Sequence, residues 1–186
     1  MKLVKHIISN QSIFCQKYQC IISLLFLLFS VVCFAQESES FHGEIVFAQG
    51  SEFSVARDGE NIIWDVVYDA WETIEILPGD VINTYDNTSI EIVFRPQGHR
   101  VRVAENTSFS VDNISDQDTV EMGLTYGRVR ARVEHLIRGS SFEIHGNLAT
   151  AGVRGTDFGY NIVESPDSRT QNLTQIYCFE GEIEIR

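Results

Sequence analysis

A two-residue alternation of apolar and polar side chains recurs along this chain and limits its fold more than any other feature. Ile90, Ile92 and Phe94 alternate with Ser89, Glu91 and Val93, and Val101 and Val103 alternate with Arg100 and Arg102. The same beat places Val129, Ala131 and Val133 against Arg128, Arg130 and Arg132, and Ile183 and Ile185 against Glu182 and Glu184. A period of two sends one set of side chains to a buried face and the other to water, which is the signature of a β-strand. Asp58-Gly59, Pro78-Gly79-Asp80, Asp86-Asn87 and Gln97-Gly98 punctuate these runs with the residues that tight turns require. Many short strands at this spacing predict an all-β fold: a roll, a sandwich or a short β-helix-like solenoid.

Trp64, Val67, Tyr68, Trp71 and Ile74 follow helical spacing instead, so residues 64–74 read equally as an amphipathic helical turn or as strand and loop. Either way the two tryptophans are expected to fill core. A polar-Phe-polar-aliphatic echo joins Ser51–Val55, Thr107–Val111 and Ser140–Ile144, and Gly43, Gly127 and Gly181 open similar strands. The intervals are unequal, so the echo indicates stacked strands rather than a regular repeat array.

The N-terminus predicts export. Lys2, Lys5 and Lys17 precede an apolar run from Ile21 to Ala35, which ends in the small residues Cys33 and Ala35. A basic start, an apolar core and a small-residue exit read as a cleavable signal peptide over residues 1–35. The run is shorter than the roughly 20 residues of a spanning helix, which disfavours the alternative of a signal anchor. The bulky Val-Val before Cys33 disfavours a lipidation site. A polar linker, 36–42, then leads to a single β domain, 43–186, with no membrane span after cleavage. All 26 acidic residues follow position 35 and face 11 arginines there, a net charge of −15. That balance excludes nucleic acid and anionic membrane surfaces as partners.

No internal disulfide is available to the mature domain, because Cys178 is its one cysteine. Cys178 is expected to be a small buried hydrophobe in a strand. The Asn-X-Ser/Thr sites at Asn87, Asn106, Asn113 and Asn172 would matter in a eukaryotic secretory pathway and are incidental if the source is bacterial. The histidines left (His42, His99, His135, His145) lack the paired spacing of a metal site. No nucleophile elbow, phosphate loop or dinucleotide fingerprint occurs. We therefore expect no enzyme, no metal and no cofactor. The arginines carry more information. Arg128, Arg130 and Arg132 share one strand face, as do Arg100 and Arg102. They form either a docking stripe for an acidic partner or a solvated face paired with Glu91, Glu143, Glu182 and Glu184.

The stretch AGVRGTDF (151–158), with PGDVINT (78–84), SIEIVFRPQGHRVRV (89–103) and the terminal YCFEGEIEI, resembles the FecR family. The matching positions are Gly79, Asp80, Thr84, Gly152, Val153, Arg154, Gly155, Thr156 and Phe158. Physics gives them structural roles first. Pro78 and Gly79 suit a turn, and Gly152 and Gly155 let the backbone bend on either side of Arg154. Thr156 and Asp157 can bond that corner's backbone, and Arg154 can brace carbonyls or a carboxylate. The resemblance implies an extracytoplasmic regulatory module. The best-known members bind the signalling domain of an outer-membrane, TonB-dependent transporter and control a sigma factor through a cytoplasmic segment. Here about 20 residues precede the apolar run, too few for a folded cytoplasmic domain, and GEIEIR stops within a strand, as a truncated chain would. The expectation is a FecR-like domain without the cytoplasmic anti-sigma segment, binding another envelope protein. The alternative is a cell-wall or polysaccharide-binding or surface-scaffold module, with Trp64, Tyr68, Trp71 and Tyr85 as its candidate aromatics.

Overall fold

The computed structural model describes residues 41–115, 119–163 and 172–186. The predicted signal peptide and residues 36–40 of the linker lie outside the described residues. The other two linker positions, Phe41 and His42, adjoin and open the first strand. Among the described residues no helix is long and apolar enough to cross a membrane.

Among the described residues fourteen strands form a single curled sheet folded into two layers. They are β1 (His42–Gln49), β2 (Glu52–Arg57), β3 (Glu60–Asp65), β4 (Glu75–Ile76), β5 (Val81–Thr84), β6 (Ser89–Arg95) and β7 (His99–Val103). β8 (Thr107–Ser115), β9 (Thr119–Arg132), β10 (Ser141–His145), β11 (Thr150–Val153), β12 (Asp157–Val163), β13 (Leu173–Glu180) and β14 (Ile183–Ile185) complete it. The front layer runs β4-β1-β6-β7-β9-β12-β13, and the back layer runs β3-β2-β5-β8-β9-β10-β11-β14. β9 belongs to both. Its first half pairs with β8 and β10, and its second half pairs with β7 and β12. The β9–β10 pair is parallel and the others are antiparallel, and because the strands form one continuous curled sheet rather than two separate ones, the all-β architecture is a roll.

One hydrophobic core fills the space between the layers. Phe53, Phe109 and Phe142 enter it from the back, so the polar-Phe-polar-aliphatic echo marks three equivalent buried positions. Phe94, Phe158 and Tyr160 enter from the front. Phe142 meets Phe158 edge to face at 6.3 Å between ring centroids, joining the layers. Burying each such ring contributes about 1.5–3 kcal/mol.

Residues 64–74 are neither one helix nor one strand. Trp64 lies near the end of β3, Asp65 caps a turn through its side chain, and Trp71–Thr73 form one 3-10 turn. Both tryptophans pack against the core as expected, with Trp71 Nε1 donating to the Val66 carbonyl at 3.0 Å.

Candidate functional site

Every passage between the layers turns a corner, and some of the family-motif residues, Gly155 and Thr156 among them, stand at these corners. At three of them a residue in the left-handed region precedes a buried threonine: Asn87-Thr88, Asn106-Thr107 and Gly155-Thr156. A positive-φ glycine on the neighbouring crossing packs against each: Gly50, Gly127 and Gly181. A Cβ on these glycines would fall 2.5, 2.5 and 3.1 Å from the Cα of Thr88, Thr107 and Thr156, so no side chain fits. The threonine hydroxyls complete the corners. Thr88 Oγ1 accepts the Ser51 N–H at 3.1 Å, Thr107 Oγ1 accepts the Arg128 N–H at 3.0 Å, and Thr156 Oγ1 donates to the Glu182 carbonyl at 2.9 Å. Thr84 Oγ1 ties in by accepting the Thr107 N–H at 3.1 Å.

Gly43, Gly127 and Gly181, which open similar strands in the sequence, do not form a structural set. Gly43 lies inside β1 against Ile92 and Ile76, and Gly50 is the true third member. The recurring Asn-Thr and Gly-Thr dipeptides were the available signal. The same corners account for Asn87 and Asn106, whose left-handed φ explains their place in sequences that resemble glycosylation sites.

Other motif positions divide. Gly79 has φ +94° behind Pro78, and the Asp80 N–H donates to the Leu77 carbonyl at 3.2 Å, as the predicted turn requires. Asp80 is fully buried and accepts Arg57 Nε and Nη2, both at 2.7 Å, and the Leu77 N–H at 2.8 Å. Val153 and Phe158 are buried core residues. Gly155 bends the chain at φ +65°, whereas Gly152 lies within β11 and bends nothing. Among the described residues Arg154 braces no carbonyl: it is exposed past the end of β11, and its charge acts on the carboxylate of Glu184. Asp157 does not bond the corner either, because it turns outward to two arginines.

Those arginines define the candidate site. β7 and β9 pair so that Arg100 opposes Arg132 and Arg102 opposes Arg130, which merges the two predicted stripes into one outward face of the front layer. Of the acidic partners expected, Glu91 pairs with this face, and the others on it are Asp157 and Glu105. Arg130 Nε and Nη2 donate to the two Asp157 carboxylate oxygens at 2.8 Å, Arg132 adds a bond at 3.1 Å, Arg100 meets Glu91 at 2.7 Å and Arg128 faces Glu105 at 4.0 Å. Glu143 and Glu184 pair with Arg186 instead, because they lie on the back layer. Arg102 has no carboxylate in ion-pair range among the described residues, and it lies over the Phe47 ring at 5.7 Å. The Arg130 hydrogen bonds hold the Asp157 carboxyl below its ordinary value, against the opposing effect of burial, with Arg132 helping.

Gly159 on β12 leaves a bare strip between Arg130 on one side and Tyr177 on the other. Across this strip Arg130 leans over Phe179 of β13, its guanidinium carbon 4.5 Å from the ring centroid. A concavity of about 690 Å³ opens here, walled by Arg102, Arg128, Arg130, Asn161, Tyr177 and Phe179. Cys178 lies in β13 as a free thiol, but it is exposed rather than buried, because β13 is the outermost strand of its layer. Among the described residues no group of three or more His, Cys, Asp or Glu could hold a metal ion. His99 is buried instead, its Nδ1 accepting the Glu134 N–H at 3.1 Å.

No curated protein and no solved structure matches the chain significantly. The family described as FecR protein matches residues 80–184, from the buried Asp80 through the Gly155-Thr156 corner into β14. That span covers more than half of the chain and includes two of the three threonine-glycine corners in full, so the chain belongs to the FecR family.

Proposed function

We propose that this domain is a non-enzymatic, extracytoplasmic regulator module that binds another protein of the bacterial envelope through the outer face of its front layer. A FecR domain is a regulator domain of signal transduction, and regulators of this type act by contact with other proteins. The supporting observation is charge placement. Six arginines (Arg95, Arg100, Arg102, Arg128, Arg130 and Arg132) stand on one face with the four carboxylates that pair with them (Glu44, Glu91, Glu105 and Asp157), which leaves that face positive on a chain whose formal net charge is −12. A cationic face on an acidic body favours an acidic partner and repels a second copy presented the same way. The aromatics named for polysaccharide binding support that alternative less well, since Trp64 and Trp71 pack against the core.

A photo-crosslinking amino acid at Phe179, on the proposed face, tests the reading against the same group at the exposed Ile137. Cross-linking in living cells to an envelope protein from position 179, and not from 137, is expected. Equal cross-linking from both positions, or none from 179, would contradict it.

A further inference from the structure

The front layer ends on an open strand. β13 bonds β12 on one side and no strand on the other among the described residues. It is eight residues long, and Leu173–Phe179 carry no charge and no proline before Glu180. Soluble proteins usually blunt such an edge with lysines, prolines, bulges or brevity. Two of the other layer edges here are short: β4 has two residues and β14 has three. β3, the remaining edge, has six residues closed by Glu60 and Asp65. β13 is thus the longest edge and the least protected.

A cation is positioned beside it. Arg130 crosses the side-chain-free strip at Gly159, and its guanidinium stands over Phe179 rather than over its own strand. Its Nε and Nη2 are engaged by Asp157, and its Nη1 donates to no group among the described residues. Neighbouring strands lie about 4.8 Å apart, so a strand added beside β13 would run one spacing from this guanidinium. Carboxylates on its outward positions could reach Nη1.

We infer that β13 accepts an extended segment of a partner protein as an additional strand, with acidic residues on its outward positions facing Arg130 and apolar residues on its inward positions. This deepens the protein-binding reading above and rests on it. Backbone pairing supplies the affinity in such strand addition, and the alternate side chains supply the selection. A second copy of this chain fits poorly, since β13-to-β13 pairing would join two bodies of the same strong charge.

The experiment is hydrogen exchange on the purified protein with a nine-residue peptide of alternating glutamate and valine. Controls are the lysine-valine counterpart, polygalacturonate, and the protein alone at rising concentration. The inference expects slowed exchange confined to Leu173–Phe179 with the acidic peptide, and at least tenfold weaker binding to Arg130→Glu. Arg130→Gln, which keeps a donor to Asp157, guards against misfolding and should weaken binding less. Equal protection by the basic peptide, or none by the acidic one, would overturn it. Protection on self-association alone would make the edge a homodimer contact, and polygalacturonate binding without β13 protection would make the arginine face a glycan site; either overturns it. If cross-linking from Phe179 succeeds while β13 exchange stays unchanged, strand addition fails and the protein-binding reading survives. If both fail, both are wrong.

Discussion

Asp157 and Arg130 are bonded diagonally: the strand register sets Asp157 opposite Arg132, yet both Asp157 oxygens accept from Arg130 at 2.8 Å. The diagonal is open because Gly159, the residue opposite Arg130, has no side chain. One carboxylate thereby orients two arginines and leaves their combined charge positive.

The Asp157 carboxyl has a lower pKa in the fold than its ordinary value of 3.8. Its stabilising contribution is therefore complete above that value and is lost as the pH falls through 3.8 towards the depressed folded value. Asp157→Asn should lower the urea midpoint at pH 7, and the difference from wild type should shrink below about pH 4. A constant difference across this range would show that the ion pair is not its source.

Gly127 should tolerate no side chain. Gly127→Ala combines a left-handed φ of +94° with a Cβ 2.5 Å from Thr107 Cα, and should cost about 3 kcal/mol or more. Gly98→Ala has a similar φ of +83° but open space around it, and should cost about 1 kcal/mol. Urea melts of the two variants separate steric closure from backbone strain.

Thr107→Val removes the acceptor of the Arg128 N–H and the donor to the Glu105 carbonyl at a buried site. A loss of about 1–3 kcal/mol is expected, and Thr107→Ser should recover much of it. Equal losses in the two variants would show that the methyl group matters as much as the hydroxyl, and an unchanged Thr107→Val protein would contradict the hydrogen-bond account.

Asp80→Ala leaves the half-exposed Arg57 guanidinium and the Leu77 N–H without their acceptor, and should destabilise by about 1–3 kcal/mol. Asp80→Asn keeps an acceptor for both and should cost less. Thermal unfolding of both variants measures the difference.

The strands were legible in the sequence wherever one face is buried and the other wet, as at Val129 to Arg132, because the pleat imposes a period of two. The pairing of Arg102 with Arg130 was not, since register depends on contacts between distant segments. Residues 64–74 misled because a strand end, a turn and a 3-10 turn together mimic helical spacing. Gly43 resembles Gly181 because both open a Gly-Glu-Ile string, but only a positive φ marks a corner, and the sequence pattern carries no sign of it at Gly50. Cys178 was expected inside because free cysteines favour the core, yet the edge position of β13 exposes it.

The central claim is that the arginine face binds the partner, and Arg102 tests it most directly because no ion pair depends on it among the described residues. The measurement is the affinity of the cross-linked envelope protein for wild type and for Arg102→Glu, with thermal midpoints alongside. The account predicts binding at least tenfold weaker with a midpoint changed by no more than a few degrees. Unchanged affinity in a folded Arg102→Glu protein would contradict it.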